Sequence, residues 1–187
     1  MILHYPNQAK PEVKWNIDKR IYREEDILSP DVCNSIIEYG KNAVRPSVNK
    51  YPGVFQVKFH SCLLEEGHPV HAELLGVWNR VVDYFGFAIN HIEPYELKRY
   101  TERDFFEKHV DNYYGLEINQ DRKITMSIQL SDPAEYVGGD LRVVSTRIRG
   151  KQGSIVAFPS FFPHEVTPIA SGTRWSLIGW AWGPYWR

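Results

Sequence analysis

Cysteine is scarce in this chain of 187 residues. Cys33 and Cys62 stand in unrelated contexts and neither belongs to a CxxC, which excludes a disulfide framework and a zinc ribbon. Two free thiols in a reducing compartment are the expectation. Long apolar runs are missing as well. No stretch approaches the ~20 apolar residues of a membrane span, and the first ten residues lack the apolar centre of a leader peptide. A cytoplasmic protein with no membrane contact is expected. Charge of one sign is also lacking: 22 Lys and Arg face 23 Asp and Glu, a formal net charge of -1. With no basic cluster, nucleic acid is not an expected partner.

Repeats, low-complexity tracts and linkers are absent too, so residues 1–187 read as a single domain, long enough to bury a core without covalent staples. Aromatic residues, by contrast, are plentiful at 14%. Trp175, Trp180, Trp182 and Trp186 crowd the C-terminal end, where aromatics favour a sheet core and can also wall a pocket. Tyr185 and Trp186 stand either as an interface or as a tail on the sheet, and the oligomeric state is open.

The N-terminal half reads as helical support. Residues 1–15 look irregular and 17–22 read as a short strand. Ser29-Pro30 forms an N-cap followed by proline at the first helical position, with Gly40 as the natural stop. Val32, Ile36, Ile37 and Tyr39 supply the apolar stripe between them. A second helix is expected over 69–85, with Val70, Leu74, Leu75, Trp78, Val81, Val82 and Phe85 at helical spacing. The stretch from Val44 to Gly67, irregular around a strand at 54–59, is either a lid or a plain hairpin. Support and possible lid together span about 16–87.

From about residue 88 to 183 the pattern changes to short β-rich runs at 93–100, 124–130, 141–144, 154–158, 166–169 and 175–182. Turn signals separate them at 112–115, Gly138-Gly139, Gly150 and Ser171-Gly172. Many short strands after two helices give a mainly β fold, an antiparallel jelly roll of the cupin kind with the helices packed on one sheet.

His109-Val110-Asp111 sits where a strand gives way to a loop, and alternation turns His109 and Asp111 to the same side. His164 follows the rigid apolar entry Phe161-Phe162-Pro163, and Arg174 lies ten residues on, past the Ser171-Gly172 turn. Two imidazoles and one carboxylate leave coordination positions open, a ligand set of the non-haem Fe(II) oxygenase type rather than a closed structural site. A guanidinium on the neighbouring strand suits the far carboxylate of an acid that chelates the same metal.

Tyr100, His109-Val110-Asp111, the run 122–130, Gly138-Gly139-Asp140-Leu141, Pro163-His164 through Pro168, Arg174 and Trp180 together closely resemble the prolyl 4-hydroxylase branch of the 2-oxoglutarate/Fe(II) dioxygenases. The resemblance covers about residues 100–182. It implies a double-stranded β-helix core using Fe(II), 2-oxoglutarate and dioxygen, with ascorbate as a candidate reductant. By matching position it makes His109, Asp111 and His164 the iron ligands and gives Arg174 the distal carboxylate of 2-oxoglutarate. It places Tyr100 beside the same cosubstrate and Val166 and Trp180 in the pocket wall. Several relatives have a cosubstrate-binding tyrosine where this chain has Gln129, whose amide either donates in its place or faces outward. Asp140 reads as a turn residue. The substrate implied is a prolyl residue of a peptide or protein. A free amino acid or other small molecule, and a metal-binding cupin without oxygenase activity, are the alternatives.

Overall fold

The computed structural model describes residues 20–47, 56–112 and 120–185. In chain order the elements begin with β1 (Tyr22–Glu24), α1 (Pro30–Ala43), β2 (Arg45–Pro46), β3 (Val57–Lys58), β4 (His60–Leu63) and α2 (Val70–Phe85). Next come β5 (His91–Ile92), β6 (Glu96–Tyr100), β7 (Phe105–His109), β8 (Gln120–Gln129), β9 (Tyr136–Gly138) and β10 (Leu141–Val143). The last are β11 (Thr146–Ile148), β12 (Ile155–Pro159), β13 (His164–Val166), β14 (Ile169–Gly172) and β15 (Arg174–Pro184).

An eight-stranded sheet runs in the order β1-β12-β8-β15-β6-β4-β2, with β5 also on β15. A five-stranded sheet runs β11-β10-β13-β7-β3, and β14 pairs with β9 in a two-stranded ribbon. Every pairing is antiparallel, and neighbours such as β12 and β8 are far apart in sequence. This is the mainly β, double-sheet jelly roll expected from the sequence, with two helices among the described residues.

Both helices cover the outer face of the larger sheet. Leu74, Trp78 and Val81 of α2 and Cys33 and Ile36 of α1 share one buried cluster with Leu97, Ile124, Met126, Ile128, Trp175 and Leu177. A second cluster, including Tyr100, Val143, Phe158, Val166 and Ile169, fills the space between the sheets.

The helix starts follow the sequence; one stop does not. Ser29 caps α1 by accepting from the Val32 N–H, and Pro30 is the first helical residue. The helix passes Gly40, however, and ends three residues later. Gly40 faces the sheet so closely that a Cβ there would lie 2.5 Å from Leu97 Cδ2 and 2.6 Å from Trp175 Cζ3. Packing, rather than a stop, explains that glycine. Leu75 departs from the expected stripe of α2 and is 59% exposed, one position away from the buried Leu74.

The strand expected over 17–22 is observed as β1, starting at Tyr22; positions 17–19 lie outside the described residues. So do the N-terminal stretch 1–15, Trp186, the turn positions 113–115, and 48–55 in the stretch read as a lid or hairpin. The described flanks of that last stretch join β2 to the edge of the larger sheet, through β4, and β3 to the edge of the smaller. The run expected at 166–169 is divided into β13 and β14, and that at 93–100 is shortened to β6, with the separate strand β5 just before it. Cys33 is buried, Cys62 half-buried, and both thiols are free. Among the described residues no helix is long and apolar enough to cross a membrane.

Candidate metal and cosubstrate site

His109 ends β7 and His164 begins β13, where the two are direct cross-strand partners, with ring centroids 4.2 Å apart. Alternation turns Val110 outward, 37% exposed, and carries Asp111 back to the side of His109. The Asp111 N–H donates to Ser160 O at 2.9 Å, tying the loop after β7 to the turn before His164. The ligand atoms of His109, Asp111 and His164 all lie within 4.8 Å of one another.

Each ring is oriented by a backbone carbonyl. His109 Nδ1 meets Glu107 O at 2.7 Å and His164 Nδ1 meets Phe162 O at 2.9 Å. A carbonyl only accepts, so Nδ1 carries the proton and the Nε2 lone pair is left for a metal. Both Nε2 atoms face the carboxylate, His109 at 3.5 Å from Oδ1 and His164 at 3.4 Å from Oδ2. The Phe106 ring stacks on His109 at 3.7 Å, and burial pushes His109 below the usual imidazole range, which keeps it neutral. Burial opposes the charge on Asp111, but the flanking His164 and His109 side chains outweigh it and hold the carboxyl well below its ordinary value.

Two further donors converge on Asp111. Thr125 Oγ1 donates to Oδ2 at 2.7 Å and Trp180 Nε1 donates to the same oxygen at 2.8 Å. Thr125 and Trp180 are cross-strand partners on β8 and β15. Trp180 is itself backed by Arg122, whose guanidinium lies 4.1 Å from its ring centroid and pairs with Glu93. Trp180 therefore does more than wall the pocket, since its indole fixes the carboxylate.

Arg174 opens β15 opposite Tyr100, which ends β6, and its guanidinium lies 5.7 Å from the Tyr100 ring centroid. Both are buried in the same cavity as the two histidines and Asp111. Arg174 Nη1 donates to Ser176 Oγ at 3.4 Å, and among the described residues no carboxylate pairs with it. Gly139, at φ 61°, lets the chain pass against the Arg174 stem, where a side chain would collide with Ile169. Val166 lines the cavity as well. Gln129 does not. It lines an adjoining groove of about 1500 Å³ that shares Ser127, Leu141 and Arg174 with the cavity, and its amide donates to Ser131 O and the Tyr136 hydroxyl. Asp140 pairs with Arg147 at 2.5 Å, as a turn residue would.

The donor set fits a divalent iron: two neutral imidazoles and one ionised carboxylate on one side, with no fourth protein ligand among the described residues. A buried guanidinium without a carboxylate partner, in the same cavity, fits the far end of a dicarboxylate cosubstrate. Sequence reading missed Thr125, Ser160, Phe106 and Lys98. Lys98 precedes Tyr100 by two on one strand, so the alternation that turns Tyr100 inward also turns Lys98 inward.

Among solved structures, the chain is similar to the viral collagen prolyl hydroxylase of Paramecium Bursaria Chlorella virus-1. The TM-score is 0.71 at 18% identity, over 88% of this chain and 96% of that one. It is similar also to a prolyl-4-hydroxylase of Pseudomonas putida, with TM-score 0.70, 16% identity and 89% and 94% coverage. Those likenesses define the fold class. The family model of the 2OG-Fe(II) oxygenase superfamily matches residues 95–182. A PKHD-type hydroxylase of Cupriavidus metallidurans is 32% identical over 193 aligned positions, 97% of this chain and 78% of the relative. The chain belongs to the PKHD-type hydroxylases of the 2OG-Fe(II) oxygenase superfamily, a family that works with Fe(II), 2-oxoglutarate and dioxygen. A Synechococcus member is 34% identical over 135 residues, but that match covers only 57% of it, and the match to an Acinetobacter baylyi member covers 49%. The chain thus spans about half the length of those curated relatives.

Proposed function

We propose that this protein hydroxylates an unactivated C–H of a prolyl residue in a peptide or protein, consuming 2-oxoglutarate and dioxygen and releasing succinate and carbon dioxide. One oxygen atom enters the substrate and the other enters succinate. The observation that carries the reading is the pairing, in one buried cavity, of the His109-Asp111-His164 cluster with Arg174, which meets no carboxylate among the described residues. The prolyl assignment draws on the names of the similar hydroxylases.

In this reading His109 Nε2, His164 Nε2 and the Asp111 carboxylate hold Fe(II), and Arg174 grips the far carboxylate of 2-oxoglutarate with Tyr100 beside it. Bound iron supplies the activation of dioxygen that cleaves the cosubstrate and removes hydrogen from the substrate. The chain's own part is placement. The Glu107 and Phe162 carbonyls set the imidazole tautomers, and Thr125 and Trp180 keep Oδ2 of Asp111 occupied so that Oδ1 is available. Val166 and Phe158 close the apolar wall that excludes water.

The test is mass spectrometry after aerobic incubation with Fe(II), 2-oxoglutarate and ascorbate as reductant, on prolyl peptides beside free proline and other amino acids. Gain of one oxygen on a prolyl residue, with matching succinate, is the expected result. Absence of succinate with every substrate overturns the oxygenase reading. Gain of oxygen only on a free amino acid, proline included, replaces the peptide or protein assignment with a small-molecule one.

A further inference from the structure

Lys98 is buried at 6% exposure and lines the same cavity as the metal-ligand cluster, yet nothing in the proposed reaction uses it. Its ammonium lies 4.9 Å from the Phe59 ring centroid, 5.0 Å from that of Phe106 and 5.5 Å from that of Trp180. Two of those rings touch the cluster directly: Phe106 stacks on His109, and Trp180 donates to Asp111. The cation therefore stands one aromatic ring away from two of the three ligands.

An ammonium has three donors. Among the described residues its one ionic partner is Glu96, at 3.2 Å. Glu96 does not line the cavity, so the charge presented to the interior at this point is that of Lys98. Burial opposes that charge, but Glu96 beside it leads the effects that raise Lys98 above an ordinary lysine. The cavity thus offers two cations at two places, Arg174 and Lys98. A dicarboxylate cosubstrate that chelates iron presents one distal carboxylate, and Arg174 accounts for it. Lys98 is left for a second anion, and a buried cation selects a charged acceptor over a neutral carbonyl.

We infer that Lys98 reads a carboxylate on the substrate, so that the proline hydroxylated carries its own free carboxyl group, either at a chain terminus or as the amino acid. This rests on the hydroxylase reading above: the terminal case narrows its prolyl substrate, and the free-acid case replaces it. A carboxylate held at Lys98 would leave the ring carbons of the same proline, two or three bonds away, to reach toward the metal cluster.

The test compares an acetylated dipeptide ending in proline as the free acid with the same dipeptide as its C-terminal amide, plus free L-proline and a peptide with proline inside. Binding to the protein is measured by calorimetry, and succinate formation is followed in parallel. The acid should bind at least about tenfold more tightly than the amide, the worth of one charged hydrogen bond. Lys98→Met should erase that preference by weakening the acid alone, and Lys98→Arg should restore most of it. Free proline matching the terminal dipeptide would assign the small acid as substrate. Free proline binding far more weakly would assign the chain terminus.

Equal binding of acid and amide to the unaltered protein overturns the inference, without needing any variant to fold. So does a Lys98→Met protein whose 2-oxoglutarate requirement rises while its acid preference stays. If no succinate forms with any substrate but the acid still binds selectively, the hydroxylase reading fails and the carboxylate site stands.

Discussion

On its helix side the larger sheet presents Leu97, Ile124, Met126, Ile128, Trp175 and Leu177. On the side toward the smaller sheet the same strands present Lys98, Tyr100, Thr125, Ser127, Arg174 and Ser176. Both sets are closed to water. Strands covered on both faces commonly read as continuous apolar runs, and here one face departs from that. The helix side gains stability from close carbon packing. The inter-sheet side holds hydroxyls, two cations and a carboxylate, whose burial has to be balanced by partners inside the fold or by a ligand. One sheet thus separates a stabilising layer from a reactive one, with a spacing of a single residue along each strand.

That comparison can be broken from either side. Asp111→Ala should have the largest effect. It removes the only carboxylate of the ligand cluster, so succinate formation should fall below detection while the far-ultraviolet circular dichroism is retained; turnover that survives would remove Asp111 from the site. Trp78→Ala, on the helix side, should cost about 3–5 kcal/mol in denaturant unfolding, because it opens a cavity under α2 and orphans the Tyr95 hydroxyl that Trp78 Nε1 meets at 2.8 Å. Ser127→Ala, on the cavity side of the same sheet, should cost about 1 kcal/mol or less. Equal losses for the two would contradict the division of labour.

On the cavity side, Arg174→Ala should raise the 2-oxoglutarate needed for half-maximal rate by about a hundredfold with unfolding midpoints little changed. An unchanged requirement would leave the guanidinium without its role. Trp180→Phe retains the ring but not the donor to Asp111, and should weaken Fe(II) affinity by about 10- to 100-fold, the usual range for a partner of a metal ligand. The smallest effect belongs to Cys33 on the helix side. Burial pushes its thiol up to about 11, so the reactive thiolate is scarce at pH 8 in the folded protein. Alkylation by iodoacetamide should therefore track global unfolding. Because the folded value is the raised one, this group favours the folded state up to ordinary thiol pH and disfavours it as pH rises further.

Local chemistry was legible wherever it depends on near neighbours. Ser29-Pro30 announced the start of α1, the spacing of Leu74, Trp78 and Val81 announced α2, and His109-Val110-Asp111 announced two side chains on one side of a strand. Gly40 and Leu75 were misread for a common reason. A glycine required by a sheet packed against it looks, in sequence, like a glycine that ends a helix, and one extra apolar residue beside a stripe looks like part of it. For Gln129 the resemblance left two readings, a donor to the cosubstrate or an outward-facing amide, and the structure shows that amide on Ser131 O and the Tyr136 hydroxyl of β9.

By itself the sequence determined the class of fold, the two helices and the residue types of a candidate metal site with open positions, because periodicity, caps and ligand chemistry are written over a few residues. Only the tertiary structure decided which distant groups meet. It paired His164 with His109 across β13 and β7, set Trp180 and Thr125 on one oxygen of Asp111, and left Arg174 without an acidic partner among the described residues. It also turned Lys98 into the cavity among three rings. These contacts join residues tens of positions apart through strand pairing, which no local pattern encodes.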